Sequence, residues 1–218
     1  MKKEPLIFFF GVLFVSLFAL FLSSLSDYQS KSSNSDLSEY QKYLQYKTIS
    51  FSNGVVKDTI LLDYTFNMTD AKVNRHTNKL IRAGKLKKDN RGVYYELSLR
   101  NKIKRAYIYF DYFEKKLSEL ALKIDKDAFL SELTLIDVRD IYDNIYGYNS
   151  EKKNEVKRFF IENDINDMHD SYFLWGNLEI HIYMNYYDEV YVKYTDLRVE
   201  QIKKNRALEK EKKQQQDL

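Results

Sequence analysis

LEIHIYMNYYDEVYVKY, residues 178–194, reads as a β-hairpin. Leu178, Ile180 and Ile182 alternate with Glu179 and His181, and Val190, Val192 and Tyr194 alternate with Tyr191 and Lys193 across a turn near Asp188. A period of two sends alternate side chains to opposite faces of a strand, so the two apolar triplets pair and bury one face. The same alternation recurs upstream in Ile60, Leu62, Tyr64 and Phe66, in Tyr95, Leu97 and Leu99, in Ile108, Phe110 and Tyr112, and in Leu120, Leu122 and Ile124. Helices are expected where caps and wider spacing occur. Thr69 caps one that runs through Leu80 to a stop near Gly84, and Leu135, Val138, Ile141 and Ile145 form a stripe ending before Gly147. A further helix is expected through Val156, Phe159 and Phe160.

Strands that alternate cleanly need only one covered face. The expected fold class is therefore α+β, with antiparallel β-meanders and helices packed on one face. The order helix then strands occurs twice, from Thr69 to Ile124 and from Asp127 to Tyr194, which reads as two tandem helix-plus-strands subunits although the residues themselves do not repeat.

Outside this body the chain changes character. Residues 1–25 begin Met1-Lys2-Lys3 and continue from Leu6 to Leu22 as a run interrupted only by Gly11 and Ser16, the pattern of a signal peptide or signal anchor. As an N-terminal hydrophobic helix, Leu6 to Leu25 would span about 30 Å, the thickness of a bilayer core. Ser24-Leu25-Ser26 is a poor cleavage site, so an uncleaved anchor fits better, and Lys2 and Lys3 orient it with the N-terminus inside. The expected location is a single-pass membrane protein facing the periplasm or exterior, the alternative being secretion after cleavage. Residues 26–38 read as a flexible tether, residues 39–198 as the extracytoplasmic body and residues 199–218 as a charged helical tail.

Composition narrows the function. Thirty-five basic and 32 acidic residues give a net charge of +3, too balanced for a nucleic-acid field, so no nucleic-acid partner is expected. With no Cys there is no disulfide, thiolate metal site, Cys nucleophile or lipid-bearing Cys. The chain has no Gly-rich phosphate loop, Gly-x-Ser-x-Gly elbow, His-Glu-x-x-His or Ser-x-x-Lys motif. No catalytic residue, cofactor or metal ion is expected.

Phe66-Asn67-Met68-Thr69-Asp70-Ala71-Lys72-Val73, opening a helix that leads into strands, resembles the Gly-Met-Thr-x-x-x-Val opening of the SmpA/OmlA-like outer-membrane lipoproteins. The resemblance covers about eight residues plus element order, and departs from the family where Asn67 replaces Gly and where the lipid-bearing Cys is missing. It implies a buried anchor at Met68, an N-cap at Thr69, a first core contact at Val73, and a binding or assembly role in the envelope.

Two site candidates remain. Tyr107, Tyr109, Tyr183 and Tyr191 fall on strand positions opposite the apolar ones and form a candidate protein-binding face, since amphipathic rings suit interfaces. Asp164, Asp167, His169 and Asp170 form the densest polar cluster, whose spacing fails a calcium loop because Met168 stands where an oxygen is needed. His76 and His181 read as surface side chains, Asp137, Asp140 and Asp143 as exposed helix charges, and Trp175 as a core plug. The expected function is a non-enzymatic, membrane-tethered envelope protein that binds a protein partner as an assembly, inhibitor or immunity-type module. The alternative is an extracytoplasmic hydrolase using the Asp/His cluster. An uncleaved anchor predicts that the expressed chain sediments with membranes and that mass spectrometry finds residues 1–25 still attached; loss of mass up to Ser26 would identify a released protein instead.

Overall fold

The computed structural model describes residues 37–52, 54–100, 102–126, 131–146, 155–163 and 168–216. The chain divides into two compact units, Met1–Lys42 and Tyr43–Leu218. Of the first, residues 37–42 are described, so the hydrophobic segment and most of the tether lie outside the described residues. No helix among the described residues is long and apolar enough to cross a membrane.

Helix α1 (Glu39–Ser52) was not foreseen. It opens with a capping box in which Gln41 N–H donates to Ser38 Oγ at 3.2 Å and Ser38 N–H donates to Gln41 Oε1 at 3.0 Å, satisfying two donors that a helix start leaves free. Helix α2 (Asp70–Arg82) follows at the expected place. Its N-cap, Thr69, makes no side-chain bond and contributes through its carbonyl, which accepts from Lys72 N–H and Val73 N–H at 2.9 Å each. Asn67 lies at φ 70°, in the left-handed region that Gly and Asn tolerate best, so Asn can stand where the resembled opening carries Gly.

The first meander follows, with β1 (Lys87–Lys88), β2 (Val93–Leu99), β3 (Lys102–Phe113) and β4 (Lys116–Ile124). Helix α3 (Ser131–Tyr146) then leads into a second, with β5 (Lys157–Asn163), β6 (Met168–Trp175), β7 (Leu178–Met184) and β8 (Val190–Asp196), and α4 (Leu197–Gln216) ends the described chain. All pairings are antiparallel, in one eight-stranded sheet of order β1-β2-β3-β4-β8-β7-β6-β5. The body is α+β. Each half is a helix followed by four strands, and the last strands of the two halves pair from Glu119 with Thr195 to Ile124 with Val190.

Two expected elements differ. Ile60 to Phe66 is no strand: Leu61–Asp63 form a 3₁₀ turn with Leu62 at φ 53° and Asp63 at φ 63°, and Ile60 N–H donates to Tyr64 O at 2.8 Å. The alternation there arises because a loop closed by the Thr59–Thr65 bridge folds Ile60, Tyr64 and Phe66 into the core together. Val156, Phe159 and Phe160 belong to β5 and its approach rather than to a helix. Both faces of β5 are in use: Phe159 packs under α1 while Phe160 faces the other way beneath the Arg158 guanidinium, 3.8 Å away. A strand covered on both faces loses the clean alternation that would have revealed it.

The main core lies between the sheet and α2 and α3. Leu122, Val192 and Ile182, neighbours in register, are fully buried, and Val73, Leu80, Leu135, Val138 and Tyr142 press on that face from the helices. Each such side chain contributes roughly 1.5–3 kcal/mol through loss of apolar surface from water. On the opposite face a smaller cluster of Tyr43, Phe159, Leu174 and Leu197 fixes α1 against β5 and β6. Asn177, buried in the β6–β7 turn, ties the segment before the first meander to the sheet: its Oδ1 accepts from Lys57 N–H at 2.6 Å and its Nδ2 donates to Asp196 Oδ1 at 3.2 Å. Gly176 beside it must be Gly, because it lies at φ +60° and an added Cβ would stand 2.2 Å from the Val55 carbonyl oxygen.

Among the buried hydroxyls of the core, Tyr142 of α3 is bonded to Tyr194 of β8, and Tyr64 to Thr77 of α2 at 2.6 Å. Burial pushes the Tyr142 and Tyr194 phenols far above their usual range, so each stays neutral and needs the other. Tyr142→Phe is expected to lower unfolding free energy by about 1–3 kcal/mol, whereas Tyr142→Phe combined with Tyr194→Phe should cost less than the single change, as read by urea denaturation.

Candidate functional site

The face of the sheet away from α2 and α3 carries the side chains that alternate with the core. Register places Tyr107 beside Lys123, Lys123 beside Tyr191, and Tyr191 beside Tyr183 in one cross-strand row. The next row runs Tyr109, Ala121, Lys193, His181, Tyr172 and Phe159, and a third holds Asp111, Glu119, Thr195 and Glu179. The sequence-predicted tyrosines therefore do share one face.

They are not equivalent on it. Tyr109 is 48% exposed, and Tyr183 and Tyr191 are half-buried. Tyr107 is 3% exposed: its hydroxyl donates to Asp89 Oδ2 at 2.7 Å, and the Arg91 guanidinium lies 4.4 Å from its ring centroid. It is a structural residue under an arginine, while the other three remain at the surface.

Tyr183 and Tyr191 end a continuous stack of rings that includes two residues the sequence reading did not group with them. Tyr172 and His181 stack at 4.1 Å and 10°, His181 and Tyr183 at 4.4 Å and 24°, and Tyr183 and Tyr191 at 5.4 Å and 13°. Tyr43 of α1 leans on Tyr172 at 4.4 Å. Because the rings lie face to face, their faces are spent on each other and they offer outward mainly edges and polar tips. His181 is fixed by Asp170, with Nε2 at 2.8 Å from Oδ2.

The lysines on this face are paired with carboxylates. Lys123 meets Glu189 at 2.6 Å, Lys193 meets Glu119 at 2.7 Å, and Lys47 of α1 meets Glu179 at 3.0 Å and Glu200 at 2.9 Å. The Lys123 hydrogen bond, helped by Asn185 and Tyr191, holds the Glu189 carboxyl below the usual carboxylate range. Glu179 is the buried member of the set, 6% exposed, and also accepts from the Tyr43 hydroxyl at 2.6 Å. Burial first, and the Glu179 charge second, push the Tyr43 phenol far up, so this hydroxyl is a permanent donor. A groove of about 280 Å³ runs beside His181, lined by Glu119, Glu179, Lys193 and Glu200.

The polar cluster is described only in part. Asp164 and Asp167 lie outside the described residues. His169 and Asp170 are consecutive on β6 and so take opposite faces, Asp170 toward His181 and the exposed His169 away from it. Among the described residues no group of three or more His, Cys, Asp or Glu could hold a metal ion. His76, expected at the surface, is partly buried with Nε2 at 2.8 Å from the Leu62 carbonyl and its ring edge-on to Tyr64. Trp175 is partly buried at the rim of the core, its Nε1 donating to Glu155 at 3.0 Å and Lys57 lying 3.7 Å from a ring centroid.

The sequence reading missed Tyr43, Lys47 and Glu179 as a linked set because it placed no helix over residues 39–52. The signal was present in Ser38-x-x-Gln41, a capping-box pattern. No family model matches the chain, and no curated protein and no solved structure matches it either.

Glu179 holds α1 to the sheet through two partners at once. Glu179→Ala should leave the Tyr43 hydroxyl buried without its acceptor and cost about 2–3 kcal/mol. Hydrogen exchange should show early loss of protection in residues 43–52 while β7 and β8 stay protected.

Proposed function

We propose that the chain is a non-catalytic docking module, held on the outer side of a membrane by its N-terminal segment, that binds a protein partner through the tyrosine-bearing face of its sheet. The observation that carries this reading is the stack Tyr172–His181–Tyr183–Tyr191 beside the exposed Tyr109, laced with the Lys123–Glu189 and Lys193–Glu119 pairs. Tyr tips among matched charges are the composition of a protein interface core with a polar rim.

The same features disfavour other partners. A nucleic acid needs free cations for phosphates and open ring faces for bases, but Lys123, Lys193 and Lys47 are each neutralised by a carboxylate. Sugars likewise stack on exposed ring faces, and these rings cover one another. The Met68 to Val73 opening and its resemblance to SmpA/OmlA-like proteins agree with an assembly role in the envelope.

Photo-crosslinking in the native host tests the reading. A crosslinker replacing Tyr109 or Tyr183 should give one discrete adduct, absent when the same group replaces Lys72 or Lys79 on α2. With that partner purified, Tyr183→Ala should weaken binding by about 10- to 30-fold, the effect of removing an interface anchor worth ~1.5–2 kcal/mol. Equal adducts from both faces, or unchanged affinity, would remove the sheet face as the site.

A further inference from the structure

Ile103, Tyr186 and Tyr187 are the three most exposed large apolar side chains among the described residues, at 70%, 76% and 70%. About eighty positions of chain separate the first from the other two, yet the fold brings them to one end of the sheet. Ile124, the last residue of β4, pairs with Ala106 on one side and Val190 on the other, so the turn before β3, the end of β4 and the turn before β8 lie together. Lys126, just beyond β4, joins them: its Nζ donates to the Tyr187 carbonyl at 2.9 Å and stands 3.6 Å from the Asp188 carboxylate.

These tips sit on fixed backbone. Asn185 Oδ1 accepts from Tyr187 N–H at 2.9 Å and from Glu189 N–H at 3.0 Å, which braces the β7–β8 turn while both tyrosine rings stand in water. Ile103 is held in β3 by its pairing with Ser98. Around it the surface is cationic. A groove of about 510 Å³ is lined by Lys102, Ile103, Lys104, Arg105, Asp125 and Lys126. Its one carboxylate, Asp125, is already forked by Arg91 at 2.8 and 3.0 Å, so the lining carries an excess of positive charge. Arg105 and Lys126 have Asp89 and Asp188 nearby, but these pairs are open to solvent and exchange readily for another anion.

Aliphatic and tyrosine tips among Lys and Arg match an anionic bilayer surface. Tyrosine rings settle at the headgroup level, an aliphatic side chain enters the acyl boundary, and basic side chains lay their stems on apolar surface with the charge at the phosphates. A nucleic acid would use the cations and leave Ile103 wet. A protein interface buries a contiguous core within a polar rim, whereas these tips stand on separate segments with Lys126 between them. We infer that this end of the sheet docks on an anionic lipid surface, with Ile103, Tyr186 and Tyr187 entering the interface and Lys102, Arg105 and Lys126 meeting the headgroup phosphates. The docking does not require residues 1–25 to be retained.

The chain has no cysteine, so a single introduced thiol can carry an environment-sensitive fluorophore. Full-length Ile103→Cys, Tyr187→Cys and, as a control on α2, Lys72→Cys are labelled and mixed with vesicles of phosphatidylcholine alone or with about one-third phosphatidylglycerol. With anionic vesicles at low salt, the labels at positions 103 and 187 should shift to the blue and be shielded from acrylamide, while the label at position 72 stays quenchable. Neutral vesicles, or about 0.5 M salt, should remove the shielding. Read from the label at position 187, Lys102→Gln should lower the ratio of docked to free protein about fivefold, the effect of one cation at a charged surface. Ile103→Ser should also lower it, and since both side chains are exposed neither change disturbs the core. Equal quenching at all three positions, shielding that persists in neutral vesicles or high salt, or docking indifferent to Lys102→Gln and Ile103→Ser overturns the inference. Shielding in membranes of the native host but not in protein-free vesicles overturns it as well and assigns the tips to a protein.

Discussion

The antiparallel seam between β4 and β8 makes one sheet of two meanders. Six residue pairs, from Glu119 with Thr195 to Ile124 with Val190, join strands that are each the last of their half. Without that seam each meander would leave a long central strand with a row of unpaired amides and carbonyls, which water or another chain would have to satisfy. The seam also sets the phase of the whole surface. Leu122 opposite Val192 fixes the core row, and therefore Lys123 opposite Tyr191 and Ala121 opposite Lys193 fix the exposed one. A slip by one residue would exchange the two faces, so burial of the core dictates the placement of the tyrosines.

The two faces solve different problems. Under α2 and α3 the core is mainly apolar, and its polar members include the Tyr142–Tyr194 and Tyr64–Thr77 hydroxyl pairs, Lys104, Thr134 and the Arg139, Asp143, Arg158 and Ser171 group. The other face is covered over β5 and β6 by α1, whose attachment combines the Tyr43 and Phe159 contact with the Glu179 carboxylate. What α1 leaves free is the part carrying Tyr109, Tyr183, Tyr191 and their paired charges. Ala121 sits between Tyr109 and Lys193 in its row, so the surface dips there rather than being filled by a third large side chain.

Legibility in the sequence followed coverage. Strands β7 and β8 and the first helix of each half were readable because each has one wet and one dry face, which the amino-acid pattern records directly. β5 was not, since Phe159 finds apolar cover on one face and Phe160 lies under the Arg158 guanidinium on the other, so the period of two disappears. The 60–66 segment showed the period without the strand, because any backbone that returns alternate residues to the core produces it, including a turn with Leu62 in the left-handed region. Of the tyrosine face, side membership could be inferred from alternation, but the withdrawal of Tyr107 under Arg91 could not, as it depends on an arginine in a turn 16 residues earlier. His169 and Asp170, the described members of the Asp164 to Asp170 cluster, are adjacent in sequence and for that reason point apart, since consecutive residues on a strand take opposite faces.

The palindromic strand order carries a kinetic consequence. Within each half, neighbouring strands are also neighbours along the chain, so both meanders can form by short-range closure. Only the seam joins residues about seventy positions apart, and the entropy of closing that loop falls on this one step. The nascent chain would therefore pass through a stage in which β4 is complete but unpartnered until the last strand has been synthesised. During that interval the exposed edge is a largely apolar strand, Lys116 to Ile124, with Lys116 and Lys123 as its positive charges. The late arrival of β8 makes the last strand of the second meander, rather than the first meander, the element that commits the fold.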